Sequence, residues 1–462
     1  MRRDEGWGLG VIEGAEEVDL VALATKVAGQ AAAGEQVEAY VSRGSQLGVR
    51  VHGGEVEDFT SATSQAIGVR VVVDGRQGFA SAGSLDDDVV AETLAEARDN
   101  AGFGEPDDAN GLAEPDGVPF VEQDRWRDAL FALPVEDKIA MALELERQVR
   151  AGDPRITGVR SASYGDSHGE AALVASTGLS ATSKATRCSL SVSALAEDGG
   201  ETQVGGGNDG GREPSDLDLD QVAADAVHRA TRLLGATKPD SQRLTIVLEP
   251  RIAATLLGIV AGTLTGDRVL KGRSPFADRL GEAIAATDLT LVDDPTDPRS
   301  IASHAYDGEG LACRRNVLVD AGVASSFLYD SWSSRKAATR STGSAVRGVR
   351  STPGVGVQAL QVVPGDRSPE DLLAEVETGL FVASLTGLHS GVNAVSGDFS
   401  VGADGLMVRD GVLAEPVREL TLASTIQRLL LGIRVVGSDL EWLPGGTGSA
   451  TLVIDDISLS GS

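Results

Sequence analysis

AIGVRVVVDGRQGFASAGSLDDDVVAETLAEARDNA, residues 66–101, decides how the first half of this chain is read. Val72, Val73 and their neighbours form a β-branched run that closes on Asp74-Gly75, and a second extended run, RQGFASAG (76–83), follows at once. Two such runs joined by Asp-Gly predict a hairpin. Ser84 with Asp87 three residues on has the pattern of a capping box, so a helix is expected from there to about Ala101.

Working outward, Asp19 to Ala33 is Ala-rich with helical spacing, and VEAYVSR (37–43) and QLGVRVH (46–52) alternate like strands. FGEPDDANGLAEPDGVP (103–119) is rich in Gly, Pro and Asp and predicts a surface excursion. A helix is expected over Val135 to Ala151, then strands between Arg155 and Ser193. GGGNDGGREPSD (205–216) lacks the Gly-Lys-Ser/Thr ending of a phosphate-binding loop and carries acids, which predicts a plain mobile loop. The helix over Leu219 to Leu234 ends at GATKPDSQ (235–242), taken as a boundary.

Beyond it come a strand, LTIVLE (244–249), an uncharged helix from Ile252 to Leu264, and short strands punctuated by Gly, Pro and Asp. Ser368 as cap with Pro369 in the first turn starts one further helix over 370–379, ended by Gly379. The expected class is α+β: an N-terminal domain of helices and strands over 1–235, then a β-rich domain over 236–462 built as a sandwich or a barrel-like sheet. No internal repeat stands out.

Composition narrows the function classes. At 462 residues the chain has room for two or three domains. Forty basic against 69 acidic residues leave a net charge of -29, which opposes nucleic acid as a partner. Cys188 and Cys313 are too few for a disulfide framework. The N-terminus has two arginines but no apolar segment after them, and no uncharged stretch is long enough to span a bilayer. A cytoplasmic protein with no membrane partner is expected. The five histidines, His52, His168, His228, His304 and His389, include no pair at chelating spacing. Of the acid pairs, Asp293/Asp294 and Asp307/Glu309 sit in sequences where Asp supports its own turn, and Asp439/Glu441 is a third pair open to either a catalytic or a structural role.

SPFADRLGE (274–282), LVDDPTDP (291–298), YDGEGLACRR (306–315), SRKAATRSTGSAVRG (334–348) and VSGDFSVGADGLMVRDG (395–411) follow one another in an order and spacing that resembles the TldD/PmbA peptidases, once called modulators of DNA gyrase. Residues 67–101 resemble the first domain of the same family. The resemblance implies a heteromeric zinc peptidase. Its metal-bearing half carries a His-Glu-x-x-x-His segment upstream of the SPF-like piece and a cysteine ligand near the C-terminus. Here Gly258, Ile259 and Thr263 occupy the motif positions, and no cysteine follows Cys313. These side chains supply neither metal donors nor a general base.

The chain is therefore expected to resemble the metal-free TldE/PmbA-type subunit: no cofactor of its own, zinc in a TldD-like partner, and unfolded or leader peptides as substrate. Without that partner a homodimer is a further expectation. Gly258 and Gly262, one helical turn apart, are expected to form a flat strip for close packing. Small residues in Ser341, Thr342, Gly343 and Ser344, and in Asp398, Phe399 and Ser400, leave backbone open to an added peptide strand, which makes these the candidate peptide- or partner-binding positions. The same positions also suit plain turns. An alternative is a self-sufficient hydrolase or peptide-processing enzyme, with Cys188 or Cys313 as nucleophile and Arg314 and Arg315 lowering the Cys313 pKa.

Overall fold

The computed structural model describes residues 18–461; the N-terminal segment read above as having two arginines without an apolar run lies outside the described residues. Six strands, β1 (Glu35–His52), β2 (Glu55–Val73), β3 (Arg76–Ala82), β4 (Ile156–Ala175), β5 (Ser180–Asp198) and β6 (Glu201–Gly211), form one antiparallel sheet in the order β3-β2-β1-β4-β5-β6. The two short strands expected at 37–43 and 46–52 are one continuous β1.

The expected hairpin is present. Val73 pairs with Arg76, and Asp74 and Gly75 both take positive φ (50° and 69°), the conformation that two-residue hairpin turns require. The following helix starts later than the capping pattern suggested. It spans Asp87–Phe103 with Asp86 at the cap position, and Ser84 is spent on Asp86, its hydroxyl 2.7 Å from the carboxylate.

Two cores lie under this sheet. The Leu20–Ala28 and Asp87–Phe103 helices bury Leu23, Val27 and Leu94 against Val37, Val41, Ile67 and Val69 at one end. The Val135–Gly152 and Leu219–Thr231 helices bury Leu145, Val149 and Val222 against Tyr164, Leu190 and Val192 at the other.

The Gly-rich segment expected to be a mobile loop is instead strand β6 through Gly211. Its glycines are explained by packing. A Cβ on Gly205 would lie 2.1 Å from the Ala230 nitrogen, and one on Gly207 would lie 2.0 Å from the Val222 carbonyl. Only a side-chain-free strand lets the Leu219–Thr231 helix approach this closely.

The C-terminal half settles the choice between sandwich and barrel. Strands 412–425, 398–409, 378–386, 242–248 and 452–460 pair in succession, and 421–423 closes the ring against 458–460, giving a five-stranded barrel. The Pro250–Thr263 helix and the segments around Phe276, Leu289 and Leu318 pack with the barrel into one large core. Ser368 does cap a helix, accepting from the Asp371 nitrogen at 3.1 Å, but that helix is only Pro369–Ala374, and Gly379 belongs to the next strand.

The segment expected as a surface excursion ties the halves together. Arg335 donates to the carbonyls of Ala109, Gly111 and Leu112, Lys336 pairs with Asp107 at 2.7 Å and Arg314 with Asp116 at 2.7 Å. Its polar composition serves ion pairing across a boundary. Leu112 in its middle is fully buried.

Candidate functional site

The helix at the motif positions buries Leu256, Leu257, Val260 and Ala261 and turns its glycine face outward. A Cβ at Gly258 or Gly262 would meet nothing within 4 Å, so the expected close-packed strip does not exist; an uncharged sequence hides which face of a helix is covered. Thr263 is fully buried, and its hydroxyl donates to the Val260 carbonyl at 2.6 Å. Gly258 and Ile259 have no donor atoms in their side chains. The residues present do not fit a zinc ion here, and among the described residues no three His, Cys, Asp or Glu side chains converge elsewhere.

The main concavity is a cleft of about 1480 Å³ where the two halves meet. One wall is the β1, β4 and β5 face, with Tyr40 and residues 181–184; the others are the 120–125 segment and the loops at 304–308 and 345–347. Phe120 and Tyr306 face each other across 5.0 Å between ring centroids. This volume exceeds that of an ordinary small-molecule pocket and suits several residues of extended chain.

The candidate binding positions are not brought together. Ser341 donates to the Tyr329 carbonyl, the Thr342 hydroxyl both accepts from the Tyr329 nitrogen at 2.7 Å and lies 2.8 Å from the Ser344 hydroxyl, and Ser344 is fully buried. Gly343 takes φ +66° against Ala312, where a Cβ would come within 2.4 Å of its carbonyl. Only the continuation of this segment, Ala345 to Arg347, reaches the cleft. Asp398, Phe399 and Ser400 are barrel residues: each pairs with 423–425, and Phe399 is buried in the core.

In two of the acid pairs one member supports its own loop, while Asp293 accepts from Gln358 and Ala359 and Glu309 from Ser331. Asp307 accepts from the Glu309 and Leu311 nitrogens at 2.9 and 3.0 Å, and Asp294 accepts from Thr296 at 3.0 Å. The thiols are not poised for attack. Burial pushes Cys313 far up and Cys188 to about 12, and the Cys313 thiol donates to Gln358 at 3.4 Å. Arg314 does act to lower the Cys313 pKa, as expected, but burial and the nearby Asp307 and Asp293 outweigh it, and its guanidinium pairs with Asp116.

Family models match the chain in three consecutive pieces, described as PmbA/TldA metallopeptidase domain 1 over 37–101, central domain over 128–234 and C-terminal domain over 241–461. The chain belongs to the PmbA/TldD metallopeptidase family. Among curated PmbA/TldD proteins it is 29% identical over 405 residues to Metalloprotease PmbA of Escherichia coli O157:H7, covering 87% of this chain and 88% of that one. It is 26% identical to a PmbA homologue of Haemophilus influenzae, covering 96% and 94%. A solved Bacteroides thetaiotaomicron structure, described as a candidate modulator of DNA gyrase, superposes with a TM-score of 0.84 at 25% identity, covering 96% and 97%. The fold is also that of TldE from Thermococcus kodakarensis, at TM-score 0.84 and 22% identity over 92% and 97%.

Sequence reasoning missed the cleft residues Tyr40, Arg125 and His304. No motif marks them, because they converge from β1, the 120–125 segment and a loop beyond residue 300. Among the described residues no helix is long and apolar enough to cross a membrane.

Proposed function

We propose that this chain is the non-catalytic, TldE/PmbA-type subunit of a heteromeric zinc peptidase in the cytoplasm. It holds an unfolded or leader peptide in the cleft between its halves while a TldD-like subunit supplies zinc, glutamate and the attacking water. The observation that carries this is the Pro250–Thr263 helix, which at the expected motif positions presents Gly258, Ile259 and a Thr263 hydroxyl already used by its own backbone. An outward glycine face also suits apposition of a partner, since it leaves the backbone within reach.

The test is to purify this chain, a metal-bearing relative and their mixture, and to measure zinc content, complex size and peptide cleavage. Expected are no stoichiometric zinc in this chain, a stable complex burying more than about 1,000 Å², and cleavage in the mixture alone. One tightly held zinc per isolated chain, or full activity of the relative without this chain, would overturn the division of labour.

A further inference from the structure

This chain holds 69 acidic residues against 40 basic ones, yet three arginines beside the cleft have no carboxylate partner among the described residues. Arg125 lines the cleft from the 120–125 segment, Arg187 projects from β5 and Arg212 follows the end of β6. Their backbones are pinned at one place: the Thr186 nitrogen donates to the Arg125 carbonyl at 3.0 Å, and the Thr186 hydroxyl donates to the Arg212 carbonyl at 2.9 Å.

Arg187 and Arg212 both donate to the Ile301 carbonyl, at 3.2 and 3.3 Å, and Arg212 also donates to the Ser303 hydroxyl at 3.0 Å. These are neutral acceptors; Asp124 and Asp216 ease the Arg212 charge without forming an ion pair with it, and Arg125 has no such carboxylate. Arg125 Nε and Arg212 Nη1 are buried with no hydrogen-bond partner at all. Burial, together with repulsion from Arg212 and Arg187, brings the Arg125 pKa down to about 10.

Arg212 is buried, Arg125 half-buried and Arg187 exposed; a cation withdrawn from water without an anion costs stability, and orphaned donors add to that cost. With so many carboxylates available in the sequence, an unfilled position of this kind points to an anion supplied from outside. The cleft decides which anion. It is lined by residues of β1, β4 and β5, by Tyr40, Phe120 and Tyr306, and by charges of both signs, among them Arg43, Glu122, Asp124 and Glu170, a surface for extended chain; the net charge of -29 repels polyphosphates while tolerating a single negative group.

We propose that Arg125, backed by Arg187 and Arg212, receives a carboxylate of the peptide held in the cleft, from its C-terminus or from an acidic side chain. This rests on the peptide-holding function above and adds a specificity determinant to it. Guanidinium and carboxylate match in charge and in planar geometry, which makes the contact both strong and directional.

The experiment titrates the full chain with a short fluorescent alanine peptide in three forms: free C-terminal acid, C-terminal amide, and amide with one internal glutamate. At least one carboxylate form is expected to bind about tenfold or more tightly than the plain amide at low salt. Which of the two does so identifies the source of the group. Arg125→Gln is expected to abolish that preference without lowering the melting temperature, because it removes an unpaired, half-buried charge; Arg125→Lys is expected to keep part of the preference. Equal affinity for all three peptides, or a preference that survives Arg125→Gln, overturns the carboxylate assignment and leaves peptide holding intact. Binding of none of them overturns both. Inorganic phosphate binding as tightly as the preferred peptide, with the same dependence on Arg125, would make this a bare anion site and also sink the proposal.

Discussion

Arg347, just past the 345–346 strand of the C-terminal half, pairs with Glu38 near the start of β1, each side chain 1% exposed. Glu38 also accepts from Arg70 at 3.1 Å, and Arg70 lies 3.6 Å from Glu309. A chain of alternating charges therefore crosses from sheet to barrel half with almost no water. Burial pushes Glu38 up, but Arg70 and Arg347 outweigh it and hold the carboxyl below the usual range.

Breaking this chain on one side should be costly. Arg347→Met leaves Glu38 short of one cation, and a loss of about 3–5 kcal/mol is expected in urea unfolding near neutral pH. Because the folded pKa of Glu38 is lowered, its contribution is present above the unfolded value and is lost as pH falls through the folded one. The gap between wild type and variant should accordingly narrow as pH falls below the ordinary glutamate value. A gap that is constant with pH would show that Glu38 is not the responsible partner.

Asp293 behaves in the opposite sense. One of its oxygens accepts from the Gln358 and Ala359 nitrogens, the other is buried without a partner, and burial raises the pKa to about 6. The folded state keeps this proton when the unfolded chain has lost it. The stability it contributes is full below about pH 4 and is lost as pH rises through about 6, an effect of about 3 kcal/mol. Asp293→Asn should flatten the pH dependence of the urea midpoint in that window; an unchanged slope would refute the assignment.

Two glycine substitutions should separate packing from exposure. Gly207→Ala drives a Cβ into the Val222 carbonyl and is expected to cost about 1–3 kcal/mol or more. Gly258→Ala meets open space on a helix and is expected to gain up to about 1 kcal/mol from propensity. Differential scanning calorimetry of the two variants reads both, and a destabilised Gly258→Ala would mean that face is covered in the isolated chain.

Metal removal offers an independent check. A bound ion that prefers the folded state raises the melting temperature by mass action. EDTA is expected to leave the melting temperature of this chain unchanged and to abolish cleavage by the two-subunit mixture. A drop in the melting temperature of this chain alone would reveal a site that its side chains do not suggest.

Local patterns were legible in the sequence wherever their cause was local. The Asp74-Gly75 hairpin follows from two residues that tolerate positive φ, the cap at Ser368 from one hydroxyl, and the missing donors at Gly258, Ile259 and Thr263 from side-chain chemistry alone. The tertiary structure decided what depends on partners far away in the chain. Residues 205–211 have loop composition yet form a strand, because the close approach of the Leu219–Thr231 helix excludes side chains there. Asp107 and Asp116 of the 105–117 segment pair across the boundary, and barrel closure required 421–423 to meet 458–460. The cleft itself, where Tyr40, Arg125 and His304 converge across more than 260 positions of sequence, exists only once both halves have folded against each other.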